Sequence, residues 1–275
     1  MLQQFFWWQL RVSRINCFYR VAKNMGIKRS VEEQFSPVVR DYATFNYFSK
    51  GSDLEPMLKA SQLQGVERVL DIGSGPGHTA LLFAPRVNEV VATDPTEAML
   101  KHGRRLAAER GVNNLFFKQA SAEALPFSDA SFDRVTSRQS LHHYTNVSGA
   151  LSEIRRVLKP TGLFVLVDTL SPEDDEFDIF LNKIESHRDS SHVRDYRISE
   201  LRQMFEVVGF NLNDLQHWDI PMSFNEWVKR SRTPSHEISV LRDCMDKASD
   251  RVKSRFNISS NQDWSLPIGL VTGSE

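Results

Sequence analysis

The stretch VLDIGSGPGHTA, Val69 to Ala80, runs an apolar strand straight into three alternate glycines. Gly73, Gly75 and Gly77 let the backbone turn sharply and come close to a ligand, because no Cβ stands in the way. The residues after them open a helix, whose first N–H groups have no partner inside it and can point at bound polar groups. A dinucleotide-binding loop would read G-x-G-x-x-G and put its third glycine at position 78, which here is His78. The spacing is G-x-G-x-G instead, with the acid Asp71 two residues before the first glycine, inside the strand end. A cofactor without a pyrophosphate suits this loop better.

Outward from the loop, short β-rich runs alternate with helical patterns from Glu67 onward, the signature of a parallel sheet wound by crossover helices. Strands are predicted at Arg68–Ile72, Glu89–Thr93, Leu115–Lys118, Phe132–Ser137 and Leu163–Asp168. Met99, Leu100, Gly103, Leu106 and Ala107 make one helical face, and Val147, Leu151, Ile154 and Leu158 another. Lys159-Pro160-Thr161-Gly162 should stop the second helix and turn the chain into strand five. Further on, Glu200–Val208 reads as a helix and Gly209–Ile220 as a mixed strand region. Ile238, Leu241, Met245, Ala248 and Val252 read as one long amphipathic helix, and a last strand is placed at Trp264–Val271.

At the end of the second strand, in VVATDPTEAML, stands Asp94. A carboxylate there can accept both hydroxyls of a ribose in the crevice at the sheet's carboxyl edge. The same residue could instead cap the next helix, with Pro95 at its first position and Glu97 completing a capping box.

Composition bounds these readings. The 275 residues are 40% hydrophobic and 25% charged, ordinary for a globular chain of one large or two small domains. Two cysteines, Cys17 and Cys244, are too few for a disulfide framework or a thiolate metal cluster; they suit the reducing cytoplasm, and no metal is expected. The net charge of −1 hides an asymmetry: residues 1–30 hold six basic side chains and no acid, leaving 28 basic against 35 acidic side chains in the rest. With no basic stripe interleaved with aromatics, a nucleic-acid groove is not expected, and no apolar run is long enough for a membrane span.

In residues 1–30, Phe5, Trp8, Val12, Ile15, Tyr19 and Ala22 recur at helical steps beside arginines. Three readings fit this segment: a membrane-surface anchor, a mitochondrial type of transit peptide, or an extension upstream of a start at Met25 and outside the natural chain. The last is the expectation here. Residues 31–275 then form a single domain, with a cofactor-binding core at about 34–170 and substrate-side additions at about 171–260.

The ordered motifs resemble those of class I S-adenosylmethionine-dependent methyltransferases, the methyltransferase type 11 domain, in the small-molecule branch that includes quinone-ring C-methyltransferases. VLDIGSGPG looks like their first motif and VVATDPTEAML like their second-strand motif. ASAEALPFSDASFDRVTSRQSLHHY and RRVLKPTGLFVLVD look like the segments that follow. The resemblance covers about residues 34 to 170. It implies an α/β, Rossmann-like, doubly wound and mostly parallel seven-stranded sheet flanked by helices, with helical additions. It implies S-adenosylmethionine as cofactor: Asp71 orients its amino end, the glycines pass under its methionine portion, and Asp94 holds its ribose. Where the family carries an acid against adenine this chain has Ser121, which shifts weight to the backbone of Ala122 and to apolar packing by Leu125 and Met99.

Methyl transfer is an in-line displacement that needs alignment, exclusion of water and, for some acceptors, a base. Arg138, His142, His143 and Asp168 fall at the carboxyl ends of strands four and five. Arg138 is assigned to the cofactor. His142 or His143 could act as base while the other packs, and Asp168 could anchor substrate or merely end a strand. In ESHRDSSHVRDY, Glu185 to Tyr196, Arg188 and His192 are substrate candidates against the alternative of a solvated charged helix. Ser36-Pro37 is expected to open a helix around which Phe35, Tyr42 and Phe45 form an amino-terminal lid or core packing.

Some chemistries are excluded by what is missing. Ser137-Arg138-Gln139-Ser140 lacks the Asn-Pro-Pro-Tyr type of motif used on exocyclic amines, and neither cysteine lies in a motif loop. The expected acceptor is a small organic molecule. Two rival readings stay open: an NAD-type oxidoreductase, and a cofactor-binding partner protein without turnover.

Overall fold

The computed structural model describes residues 29–39 and 51–275. The aromatic stripe before Met25, Cys17, Tyr42 and Phe45 lie outside the described residues.

Valine, leucine and isoleucine in unbroken runs make strands that can be buried on both faces, as a parallel sheet requires. β1 (Arg68–Ile72) buries Val69, Leu70 and Ile72 in this way, and it sits mid-sheet between β2 (Glu89–Asp94) and β4 (Phe132–Arg138), parallel to both. β3 (Leu115–Gln119) extends the sheet beyond β2, and β5 (Leu158–Ser171) lies beside β4. The order is β3-β2-β1-β4-β5-β8-β7, where β8 (Trp264–Ser274) runs antiparallel between β5 and β7 (Asn211–Met222). A two-residue strand, β6 (Tyr196–Arg197), adds to the end of β5. The seven-stranded, mostly parallel sheet expected from sequence is present with this one small addition.

Alternation along each strand divides the core in two. Val69, Val90, Ala92, Val165 and Val167 face α3 (His78–Phe83) and α6 (Asp175–Arg188), while Leu70, Ile72, Val91 and Val135 face α5 (Val147–Val157). α4 (Glu97–Glu109) buries Met99, Leu100, Gly103 and Ala107, the face read from its spacing. α7 is Ile198–Val207.

Local details differ from the sequence reading. Lys159 to Gly162 does not separate helix from strand: Leu158 already pairs with Phe132 before the register shifts, so this segment lies within β5. The long helix through Ile238 to Val252 is two helices, α9 (Ser235–Asp246) and α10 (Asp250–Arg255), because Ser249 caps the second by accepting from the Val252 N–H at 3.2 Å. The helix expected from Ser36-Pro37 onward lies mostly outside the described residues, and a shorter one precedes it. Ser30 caps α1 (Val31–Phe35) in a capping box with Glu33, and Ser36–Val38 continues as a 3₁₀ turn. α2 (Leu54–Ala60) and α8 (Phe224–Arg230) complete the helices that reach the site.

Candidate active site

Chain order reverses between β1 and β4, and the crevice this opens at the strands' carboxyl ends is where open α/β sheets bind ligands. A cavity of about 360 Å³ lies there, lined at one end by the β1 loop and at the other by α6 and α8.

The loop residues differ in what they do. Gly73, Gly75 and Gly77 all have positive φ, at 63°, 52° and 82°, which other residues rarely adopt. A Cβ on Gly73 would strike Ser140, whereas one on Gly75 would meet no atom within 4 Å and would stand in the cavity. Gly77 does not line the cavity. It caps α3 in the left-handed conformation against Phe117, so its assignment to the cofactor is corrected to a packing and turn position.

Asp71 ends β1, 1% exposed, and the Thr136 hydroxyl donates to its Oδ1 at 2.7 Å. Its Oδ2 is buried without a hydrogen-bond partner, as is the nearby Ser74 hydroxyl. Burial pushes the Asp71 carboxyl up to about 7, against the pull of Thr136 and the Arg138 charge. Asp94 braces the loop to the entry of α4, Oδ1 accepting the Thr96 N–H at 2.8 Å and Oδ2 the Gly75 N–H at 2.9 Å, and the residue lines the cavity. Burial raises its carboxyl and these two donors oppose the rise. Thr96, not Asp94, is the terminal cap position of α4.

Ser121, Ala122 and Met99 also line this end, while Leu125 is buried in the core away from the cavity. Glu123, missed in the sequence reading, brings a carboxylate to the wall beside the Ser121 hydroxyl, which donates to it. The Thr145 N–H at 3.0 Å holds the other Glu123 oxygen. The signal was an acid two positions on from the one inspected.

Arg138 lines the cavity, but its Nε and Nη2 donate to Asp53 at 2.5 and 2.8 Å, deep in the protein. Asp53 precedes α2 and was not singled out from sequence.

The His142 and His143 rings lie side by side, centroids 4.2 Å apart, with opposite electrostatics. Burial opposes charge on His142, but the Asp168 carboxylate, bonded to its Nδ1 at 2.5 Å, outweighs this with help from Asp195 and Glu185 and carries the ring up to about 9. A base at neutral pH is therefore corrected to an imidazolium. Burial and the His142 charge push His143 down to about 4, so it is neutral, with the Ser191 hydroxyl 3.2 Å from Nδ1 and Phe35 edge-on at 5.1 Å.

Asp168 is not among the cavity-lining residues. Its carboxylate accepts the N–H groups of Ser140, Leu141 and Thr169 at 3.1, 2.7 and 2.8 Å besides the His142 ring, which corrects the substrate-anchor reading to one of positioning the loop after β4. His192 is likewise buried behind His142, ring centroids 5.8 Å apart, and does not line the cavity. Arg188 does line it, bound to Glu185 at 2.8 Å. The segment Glu185 to Asp195 is not a solvated helix: Glu185, Arg188, Asp189 and Asp195 are buried. Met222, Trp227, Arg230 and Leu266 complete the far wall, none of them flagged by a sequence motif.

The geometry fits a cofactor with a charged amino end and a ribose, reached by a loop that leaves open space over Gly75. Sequence comparison bears on its class. The methyltransferase domain family profile matches residues 70–166. The chain is 40% identical to the uncharacterized methyltransferase YcgJ of Bacillus subtilis over 84% of its own length and 91% of the relative's. The crystal structure of YcgJ superposes with a TM-score of 0.78 at 39% identity, over 81% of this chain and 98% of that one. The uncharacterized protein YafE of Escherichia coli is 36% identical over 72% and 96% of the two lengths. A ubiquinone/menaquinone biosynthesis C-methyltransferase of Azotobacter vinelandii is 37% identical over 53% of this chain and 61% of its own. The chain belongs to the S-adenosylmethionine-dependent methyltransferase family, with the class I fold. Among the described residues no helix is long and apolar enough to cross a membrane, and no cluster of His, Cys, Asp and Glu could hold a metal ion.

Proposed function

We propose that the cavity transfers a methyl group from S-adenosylmethionine to a small organic acceptor held between His143 and the α6–α8 wall. The observation that carries this is the pair of buried, unpartnered polar atoms, Asp71 Oδ2 and the Ser74 hydroxyl, beside the open space over Gly75. An ammonium group fits the Asp71 oxygen, and ribose hydroxyls can use the remaining lone pairs of Asp94. The cofactor, when bound, supplies an electrophilic methyl group on a sulfonium sulfur. This chain's residues align the acceptor, keep water out and fix charge nearby.

In this reading His143 is the ring facing the acceptor and His142 is a fixed cation that holds the loop through Asp168. Met99, Ser121, Ala122 and Glu123 take the adenine. Residues 31–275 work as one unit. Two cysteines in the whole chain support a cytoplasmic setting. The NAD-type alternative is disfavoured by His78 and by the packing role of Gly77.

Calorimetry with S-adenosylhomocysteine, S-adenosylmethionine and NAD tests the cofactor. Binding of the first two with no heat from NAD is expected; binding of NAD alone overturns the reading. Transfer of radiolabel from S-adenosyl-[methyl-³H]methionine into a screened acceptor tests turnover.

A further inference from the structure

The turn after α6 carries a carboxyl that the reading above leaves without a role. Asp195 is 1% exposed and lines the cavity. Asn182, one face of α6, clamps its backbone from both sides: the Asp195 N–H donates to Asn182 Oδ1 at 2.8 Å, and its carbonyl accepts from Asn182 Nδ2 at 3.2 Å. The side chain is treated differently. Its Oδ2 accepts no hydrogen bond, and the nearest ring nitrogen, His192 Nε2, is 3.9 Å away. A buried polar atom left unsatisfied costs about 1–3 kcal/mol, so a rigidly held one on a cavity wall points to a ligand group that satisfies it.

We propose that Asp195 is the specificity-determining anchor of the acceptor, pairing with a hydroxyl on an uncharged, flat-ringed molecule whose apolar body packs on Phe35, Met222, Trp227 and Leu266. This rests on the methyltransferase reading and adds the acceptor's chemical class. Burial pushes the Asp195 carboxyl well above the usual carboxylate range, against the pull of the His142 and Arg188 charges. A hydroxyl pairs with a carboxyl in either protonation state, donating to the carboxylate or both donating to and accepting from the acid. A cationic amine would face the His142 and Arg188 charges, and an anionic group would face Glu185. Aromatic rings on the wall favour a flat apolar partner.

The test uses the full chain saturated with S-adenosylhomocysteine and two ring probes, 2-naphthol and its methyl ether 2-methoxynaphthalene, titrated by calorimetry. The unaltered protein is expected to bind the naphthol at least about tenfold more tightly than the ether, as one buried hydrogen bond would give. Asp195→Leu should erase that preference, Asp195→Ala should do the same without adding bulk if the leucine is not accommodated, and Asp195→Asn, which keeps a donor and an acceptor, should retain it. Equal binding of the probes, no binding of either, or a preference that survives in Asp195→Ala overturns the proposal. Failure of S-adenosylhomocysteine itself to bind would instead overturn the methyltransferase reading, so the two failures are distinguishable.

Discussion

At the cofactor end of the cavity, Asp71, Ser74, Gly75 and Asp94 come from one β-α-β unit, whereas at the acceptor end Phe35, His143, Arg188, Asp195, Trp227 and Leu266 come from segments spread across most of the chain. The first end is made by local backbone geometry: positive φ at alternate glycines, a strand end, a carboxylate bridging two N–H groups. The second is made by packing and buried charge. The comparison teaches that one end is set by residue type at fixed spacing, while the other depends on which side chains the fold brings within reach.

The contrast is broken most severely at Gly75. Gly75→Val should abolish S-adenosylhomocysteine binding in calorimetry while the far-UV circular dichroism stays native, because its Cβ enters the open space at the cavity and a branched residue does not hold the loop's φ of 52°. Retained binding would remove the local-geometry account of the cofactor end.

At the acceptor end the largest effect is on stability. Asp168→Ala removes the carboxylate that holds a buried imidazolium and three backbone N–H groups, and should cost about 3–5 kcal/mol in urea unfolding. The same pair gives a pH dependence. His142 sits at about 9 folded against an ordinary 6.5, so its contribution is complete below pH 6.5 and is lost as pH rises through 9. Asp168→Ala should flatten that decline, and an unchanged slope would mean that His142 is not held by this ion pair.

Next in size is Asp94→Ala, which should weaken S-adenosylhomocysteine by about 1.5–3 kcal/mol if ribose hydroxyls use that carboxylate. Unchanged affinity in the folded variant would leave Asp94 as a loop brace to Gly75 and Thr96 alone.

The smallest effect sharpens the Asp71 assignment. With its carboxyl at about 7, the ionised form that suits an ammonium group grows as pH rises, so S-adenosylhomocysteine affinity should increase about tenfold from pH 6 to pH 8. Asp71→Asn should abolish this trend, and a flat profile in the unaltered protein would detach Asp71 from the cofactor's amino end.

Most of the sheet was legible because burial on both faces leaves short apolar, β-branched runs, as in Val69-Leu70, Val90-Val91-Ala92 and Leu163-Phe164-Val165-Leu166-Val167, bounded by glycines and prolines. The boundaries that misled were set by single contacts. Ser249 splits a helix whose apolar spacing runs through the break, and Leu158 already pairs with Phe132 before the Lys159 to Gly162 segment expected to separate helix from strand. Glycine spacing alone could not reveal that Gly77 packs against Phe117 from a strand far along the chain.

By itself the sequence determined the α/β winding, the loop at Gly73 to Gly77 and the acids Asp71 and Asp94, because strand pattern and turn chemistry are properties of neighbouring residues. Only the tertiary structure decided that adjacent His142 and His143 differ in charge, since Asp168 reaches one and not the other. It also decided that Arg138 meets Asp53 and that Asp195, on the cavity wall, keeps one carboxyl oxygen, Oδ2, without a hydrogen bond. Buried charges are governed by distance in space and by exclusion of water, and neither quantity is written in the spacing of residues along the chain.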